Sequence, residues 1–255
     1  MDASIRNRFQ EAWSEYFPGA DLPIAFYYTD HEDGVPLAPA SSGWRCMLAD
    51  LSKVAKGDSI RFDVDHLGCE GAKRYLGFRH ELRPNFEFFL SCGIPGEMEG
   101  ERYKKSPDLV RELLKQQTPY EAPCKYIVFK RWDSLEEADQ PMAVIFFAQP
   151  DVLSGLFTLA NFGSADLHEV ITPFASGCGS IVYFPCHEAA SAHPRAILGM
   201  FDVSARPFVP ATVLTFTVPW AKFVEMVDNV DESFLITRSW GNVRKRLMKE
   251  SPPPQ

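Results

Sequence analysis

The chain is predicted to fold as a single α/β or mixed α+β domain. Three observations point there. Amphipathic helical stripes alternate with short β-rich runs along all 255 residues. The run MAVIFFA at 142–148 is apolar at every position, the pattern of a strand covered on both faces. No composition break marks a linker. The domain is expected to occupy residues 1–250, with possible lobes at about 20–140 and 141–250, each carrying a strand–Gly-Cys–helix unit. Residues 251–255 (SPPPQ) read as a disordered tail.

The elements follow from local pattern. Ser4 to Phe17 carries Ile5, Phe9, Ala12, Trp13, Tyr16 and Phe17 at helical spacing, and Pro18-Gly19 stops it. LPIAFYYT (22–29) is β-rich, with Pro23 at its start, and residues 31–43 read as a proline-rich loop. A helix is expected over 45–55, with Gly57 near its C-cap, then a strand at 59–64 and a helix at 69–76. FEFFLSC (86–92) and 125–132 read as strands. Ser106-Pro107-Asp108 opens a helix with a capping serine, a first-turn proline and an acid at the positive end of the dipole; its expected core face is Leu109, Val110, Leu113 and Leu114. Ser134 and Glu137 fit a capping box. After 142–148 come a helix at 152–162, strands at 169–174, 197–203 and 213–218, and helical stripes on Trp220, Phe223, Val224, Val227 and on Trp240, Val243, Leu247.

Composition excludes several classes. A net charge of −8 opposes non-specific nucleic-acid binding, and RYKK (102–105) and RKR (244–246) are too short for a phosphate footprint. No apolar run reaches the ~20 residues of a membrane helix. The first residues lack a signal-peptide pattern, so a cytoplasmic location is expected. The six cysteines include no CxxC, which argues against disulfide frameworks, zinc ribbons and thioredoxin-like sites. GxGxxG, Walker, GxSxG and HExxH motifs are also absent.

Chemistry is therefore expected from dispersed cysteines. Cys69 lies between Gly68 and Gly71 at a loop-to-helix junction, and Cys178 lies between Gly177 and Gly179 in a similar setting. A helix N-terminus favours thiolate, and flanking glycines let the backbone approach a bulky group. Thiolates in such loops suit iron–sulfur clusters or soft metals. Cys46 and Cys92, near element edges, are the expected further ligands, and Cys124 and Cys186 lack glycine framing. The bland alternative is a set of small buried hydrophobes. Arg206 is a candidate clamp for a carboxylate or phosphate, or else a surface ion pair. His66 is a candidate ligand or base beside Cys69; Asp63 and Asp65 orient it, bind a cation or cap the following turn.

The segments RCMLADLSKVAKG, HLGCEGAKRYLGF, FFAQPDVLSGLF and GCGSIVYFP with FDVSARP resemble the family called domain of unknown function one-sixty-nine, from about Leu22 to the last helix. The resemblance implies an anaerobic setting, which suits soft thiolate chemistry, and brings no established activity or catalytic residue. Cys46, Cys69, Cys178 and Arg206 fall at positions similar to family motifs. Many members carry a further cysteine near the Arg206 motif, where this chain reads Val203-Ser204-Ala205, and Cys92 is expected to substitute. The leading expectation is a cofactor protein holding an iron–sulfur cluster or other thiolate-ligated metal in a redox role. A metal-free module that cradles a small anionic metabolite is the alternative, and a thiol enzyme using Cys69 and His66 ranks last.

Overall fold

The computed structural model describes residues 2–32, 34–40 and 43–250. The tail at 251–255 lies outside the described residues. Seven strands, β1 (Ile24–Thr29), β2 (Ser59–Phe62), β3 (Tyr126–Arg131), β4 (Ala143–Ala148), β5 (Val170–Ile171), β6 (Ala196–Gly199) and β7 (Leu214–Pro219), form one sheet in the order β2-β3-β1-β4-β7-β6-β5. Neighbours are antiparallel except β5 and β6, so the sheet is mixed. The apolar run at 142–148 supplies the middle strand. β4 pairs with β7 from Ala143↔Pro219 to Ala148↔Leu214, and this ladder joins the two expected lobes into one sheet.

Nine helices accompany the strands: α1 (Ala3–Tyr16), α2 (Met47–Val54), α3 (Glu70–Tyr75), α4 (Phe86–Phe89), α5 (Pro107–Lys115), α6 (Pro150–Asn161), α7 (Phe184–Ala189), α8 (Trp220–Asp228) and α9 (Arg238–Glu250) among the described residues. α1, α6, α8 and α9 cover one face of the sheet. Their core is aromatic: Phe9 meets Trp132 at 4.5 Å between ring centroids, Phe223 at 5.1 Å and Trp13 at 5.4 Å. The other face is covered by α2, α3, α7 and the π-turn Gly179–Tyr183 that precedes α7. Pro185 accounts for that turn. It has no N–H to continue an α ladder, and the widened turn closes with the Phe184 N–H on the Gly179 carbonyl.

Four expectations need correction. Residues 86–92 form no strand; α4 begins after Asn85 in the left-handed region (φ 60°), and its phenylalanines are only half-buried. Strand periodicity failed there because the segment lies outside the sheet, with no second layer to bury it. α5 starts as expected, with the Ser106 hydroxyl accepting from the Leu109 N–H, but only Val110 is buried and Leu109 is exposed. The box at Ser134 and Glu137 gives way to a 3₁₀ turn (Trp132–Ser134), and Asp139 instead accepts from the Glu136 N–H and the buried Lys130 ammonium. The strand expected over 197–203 stops at Gly199, because Met200 takes a left-handed conformation (φ 69°) and turns the chain away.

Two predictions follow from the cores. Phe9→Ala removes the ring that Trp13, Trp132 and Phe223 all touch, and is expected to lower unfolding free energy by about 3–5 kcal/mol in urea titrations. Alkali is expected to destabilise the fold. Burial, and then the charge of Cys186, hold the Tyr28 phenol well above its usual range, and burial pushes the Cys186 thiol up to about 12. The folded chain keeps these protons at a pH where the unfolded chain releases them, so stability falls as pH rises through the unfolded values, about 8.5 for thiol and 10 for phenol. Urea midpoints that stay level between pH 8 and 11 would contradict this.

Candidate cysteine centre

Three of the six cysteines stand at helix starts: Cys46 and Cys69 at the N-caps of α2 and α3, and Cys178 in the first turn of the helix that Ser176 caps and that runs into the π-turn. The fold brings these three helix starts together. Arg45, next to Cys46, donates its N–H to the carbonyl of Gly68, next to Cys69, at 3.0 Å. Arg45 is itself held by an ion pair to the buried Asp50 of α2. Gly177, next to Cys178, lies so close to α2 that an added Cβ would sit 2.7 Å from Leu48 Cδ1 and 3.0 Å from Ala205 Cβ. Cys178 is buried, and Cys46 and Cys69 are half-buried.

The thiols feel one another. Burial raises the Cys178 thiol well above its usual range, and the charges of Cys69, Cys46 and Asp202 add to that. Burial also raises Cys46; the Leu48 and Ala49 N–H groups offset part of this, while Cys69 and Asp202 push it further up. The helix starts therefore do not make these two groups thiolates, contrary to the expectation from position alone. Desolvation outweighs the dipole, and a positive centre among them would reverse the balance. Among the described residues, no three His, Cys, Asp or Glu side chains are placed to hold a single metal ion. One ion needs sulfurs ~4 Å apart, and cluster ligands stand about twice as far apart.

The glycines divide by role. Gly71 is open, with only Cys69 Sγ within reach of an added Cβ, at 3.6 Å. Gly177 and Gly179 instead make room for protein: Gly177 for α2 and the 200–205 loop, Gly179 for Ala175, Ser176 and Tyr75. Gly68 serves through its carbonyl. Asp202, which sequence reading missed, ties the Cys178 turn to the 200–205 loop. Its Oδ2 accepts from the Gly177 N–H at 3.0 Å, and its Oδ1 from the Ser204 N–H at 3.0 Å and the Ser204 hydroxyl at 2.7 Å. The one sequence signal was an acid between two apolar residues, Phe201 and Val203, at a strand exit.

The remaining candidates sit differently. Cys92 is exposed on another loop, its thiol donating to the Gly93 carbonyl. Arg206 donates to the carbonyls of Val213, Pro210 and Ala211, so it braces its own turn. Asp63 accepts from the backbone N–H groups of Asp65 and His66 and lies 2.6 Å from His66 Nδ1, capping the turn and orienting the ring. Burial pushes the Asp63 carboxyl up, but these hydrogen bonds win and hold it below its usual range. Cys186 is buried beside Tyr28 and Tyr120.

The glycine contrast is testable by thermal and urea unfolding. Gly177→Ala is expected to cost about 1–3 kcal/mol, since Leu48 is fully buried and the Ala205 Cβ cannot swing aside. Gly71→Ala is expected to be neutral or stabilising by up to about 1 kcal/mol, as Ala replaces Gly in a helix with ordinary contact distances. Equal effects at the two positions would refute the assigned roles.

No helix among the described residues is long and apolar enough to cross a membrane. No curated protein and no solved structure matches the chain. The model of the family described as DUF169, uncharacterised ArCR, matches residues 20–229, a span that contains α2, α3, the π-turn and all three converging cysteines. The chain belongs to that family.

Proposed function

We propose that the protein holds an iron–sulfur cluster through Cys46, Cys69 and Cys178 and acts in a redox role. One observation carries this reading: three cysteines far apart in sequence each stand at a helix start, and the three starts meet in one place. The donor set fits the group. Thiolates are the ligands that iron–sulfur clusters take, and three helix N-termini favour a centre of net negative charge.

The surroundings support the same reading. A π-turn opens at Cys178, and such turns recur at functional sites. When bound, the cluster supplies one-electron transfer and, at an iron without a cysteine, a Lewis acid. The chain's own part is to desolvate the thiols, to hold them on three rigid starts, and to fix the Cys178 turn through Ser176, whose hydroxyl accepts from the Gly179 N–H at 3.0 Å. Arg206 gives a metal-free anion cradle little support, because three of its five donors already go to carbonyls of its own turn.

Anaerobic purification, or reconstitution with ferrous iron and sulfide, is expected to yield coloured protein with iron and acid-labile sulfide in equal amounts. Serine at position 46, 69 or 178 is expected to lower iron content at least severalfold, whereas Cys92→Ser and Cys124→Ser leave it unchanged. Iron-free, colourless wild-type protein after both treatments would refute the proposal.

A further inference from the structure

A second cluster of functional side chains gathers at the β2 edge of the sheet. We infer that Arg61, Tyr126 and Lys125 form a binding site for a small carboxylate, and that the chain's own Glu32 occupies it in this structure. The site is independent of the cluster reading, since it lies on the face of the sheet away from the cysteines.

Alternation along β2 separates the two faces. Phe62 packs into the core that holds Cys178, so Arg61 projects to the opposite face, where its register partner Val128 clusters with Tyr27 and Val35. Residues 36–38 fix the Arg61 backbone: its N–H donates to the Pro36 carbonyl, and its carbonyl accepts from the Ala38 N–H, both at 2.9 Å. The guanidinium lies 4.6 Å from the centroid of the Tyr126 ring, and the Lys125 ammonium lies 4.7 Å from the same centroid. Two cations thus share one ring.

Arg61 is only 9% exposed, yet it is poorly paired. Burying a charge is costly unless the group is both paired and hydrogen-bonded. Nε and Nη1 are sealed from water without a partner among the described residues, and Nη2 reaches Glu32 Oε2 only at 3.5 Å. A two-pronged contact to a carboxylate that uses Nη2 also uses Nε or Nη1, and both are free. Glu32 supplies one weak prong. Its side chain is 69% exposed, and an ion pair with so exposed a partner contributes little.

Glu32 nevertheless marks where a carboxylate sits. Its Oε1 accepts from the Tyr126 hydroxyl at 2.9 Å while Oε2 faces Arg61, so each oxygen of a planar group has its own donor. The Tyr126 hydrogen bond first, and then the Arg61 charge, hold the Glu32 carboxyl below its usual range, and Lys125 adds to this. The acids that flank Lys125 are engaged elsewhere: Asp30 accepts from the Lys125 backbone N–H at 2.8 Å, and Asp63 caps the His66 turn. A free carboxylate, not tied to a loop, can keep the Tyr126 bond and close on the Arg61 fork. Glu32 then acts as a tethered competitor, present at high effective concentration.

Thermal unfolding tests this in rising sodium acetate or succinate, against sodium chloride at matched ionic strength. The proteins are wild type, Glu32→Ala, and Glu32→Ala combined with either Arg61→Met or Tyr126→Phe. A ligand that binds only the folded chain raises Tm with its concentration. Glu32→Ala is expected to show a carboxylate-specific rise at severalfold lower concentration than wild type, because the competitor is gone. Arg61→Met is expected to abolish that rise. Tyr126→Phe, which keeps the ring and removes the hydroxyl, is expected to weaken it severalfold, and it decides the matter should the Arg61→Met chain not fold. A rise in Glu32→Ala no larger than in chloride, or one undiminished by Tyr126→Phe, would overturn the inference and leave the cluster proposal untouched.

Discussion

The close approach of Gly177 to α2 is the constraint on which the site depends. Leu48, fully buried on the first turn of α2, occupies the space where a side chain at 177 would stand. That contact places the Cys178 turn against the Cys46 turn, and the Arg45–Gly68 hydrogen bond adds Cys69. None of these links joins neighbours in sequence. Each crosses between segments that the sheet has already brought to one face, so the centre is a product of the tertiary fold.

The arrangement opposes two physical tendencies. Helix starts stabilise negative charge, which lowers a thiol's pKa, and burial raises it. At Cys46 and Cys178 burial prevails. A reactive nucleophile needs the opposite result, a thiol held low and within reach of water. Under the proposed cluster reading, metal binding would release these protons and supply the positive charge that burial withholds. The electrostatics thus give Cys46 and Cys178 no nucleophilic character. The His66 ring is oriented by its Nδ1 contact with Asp63.

Much of the fold was legible because its strongest signals are local. MAVIFFA reads as a doubly covered strand and is the middle of the sheet; Ser106-Pro107 reads as a helix start and is one. Failures fall where tertiary setting decides. FEFFLSC has the composition of a strand, yet it sits outside the sheet. Cys46, Cys69 and Cys178 were readable from glycine framing and element edges, but the same cues favoured Cys92, which is exposed. The glycines misled in part: framing suggested space for a ligand, and at Gly177 that space is filled by Leu48 and Ala205. Asp202 was unreadable because its meaning depends on a single left-handed residue, Met200, that turns the chain inward after β6.

Exposure around the centre follows the same logic. Ten large apolar side chains are exposed among the described residues, and four of them, Trp44, Phe174, Phe201 and Val203, lie within four residues of Cys46, Cys178 or Asp202. Scattered exposed apolar residues need no explanation, but concentration at one place does. Trp44 meets Phe208 at a tilt with ring centroids 5.8 Å apart, and Phe174 lies under the Lys104 ammonium at 3.8 Å, so both rings have neighbours. Under the proposed redox role, apolar side chains flanking the cysteines would help keep water from the half-buried sulfurs of Cys46 and Cys69.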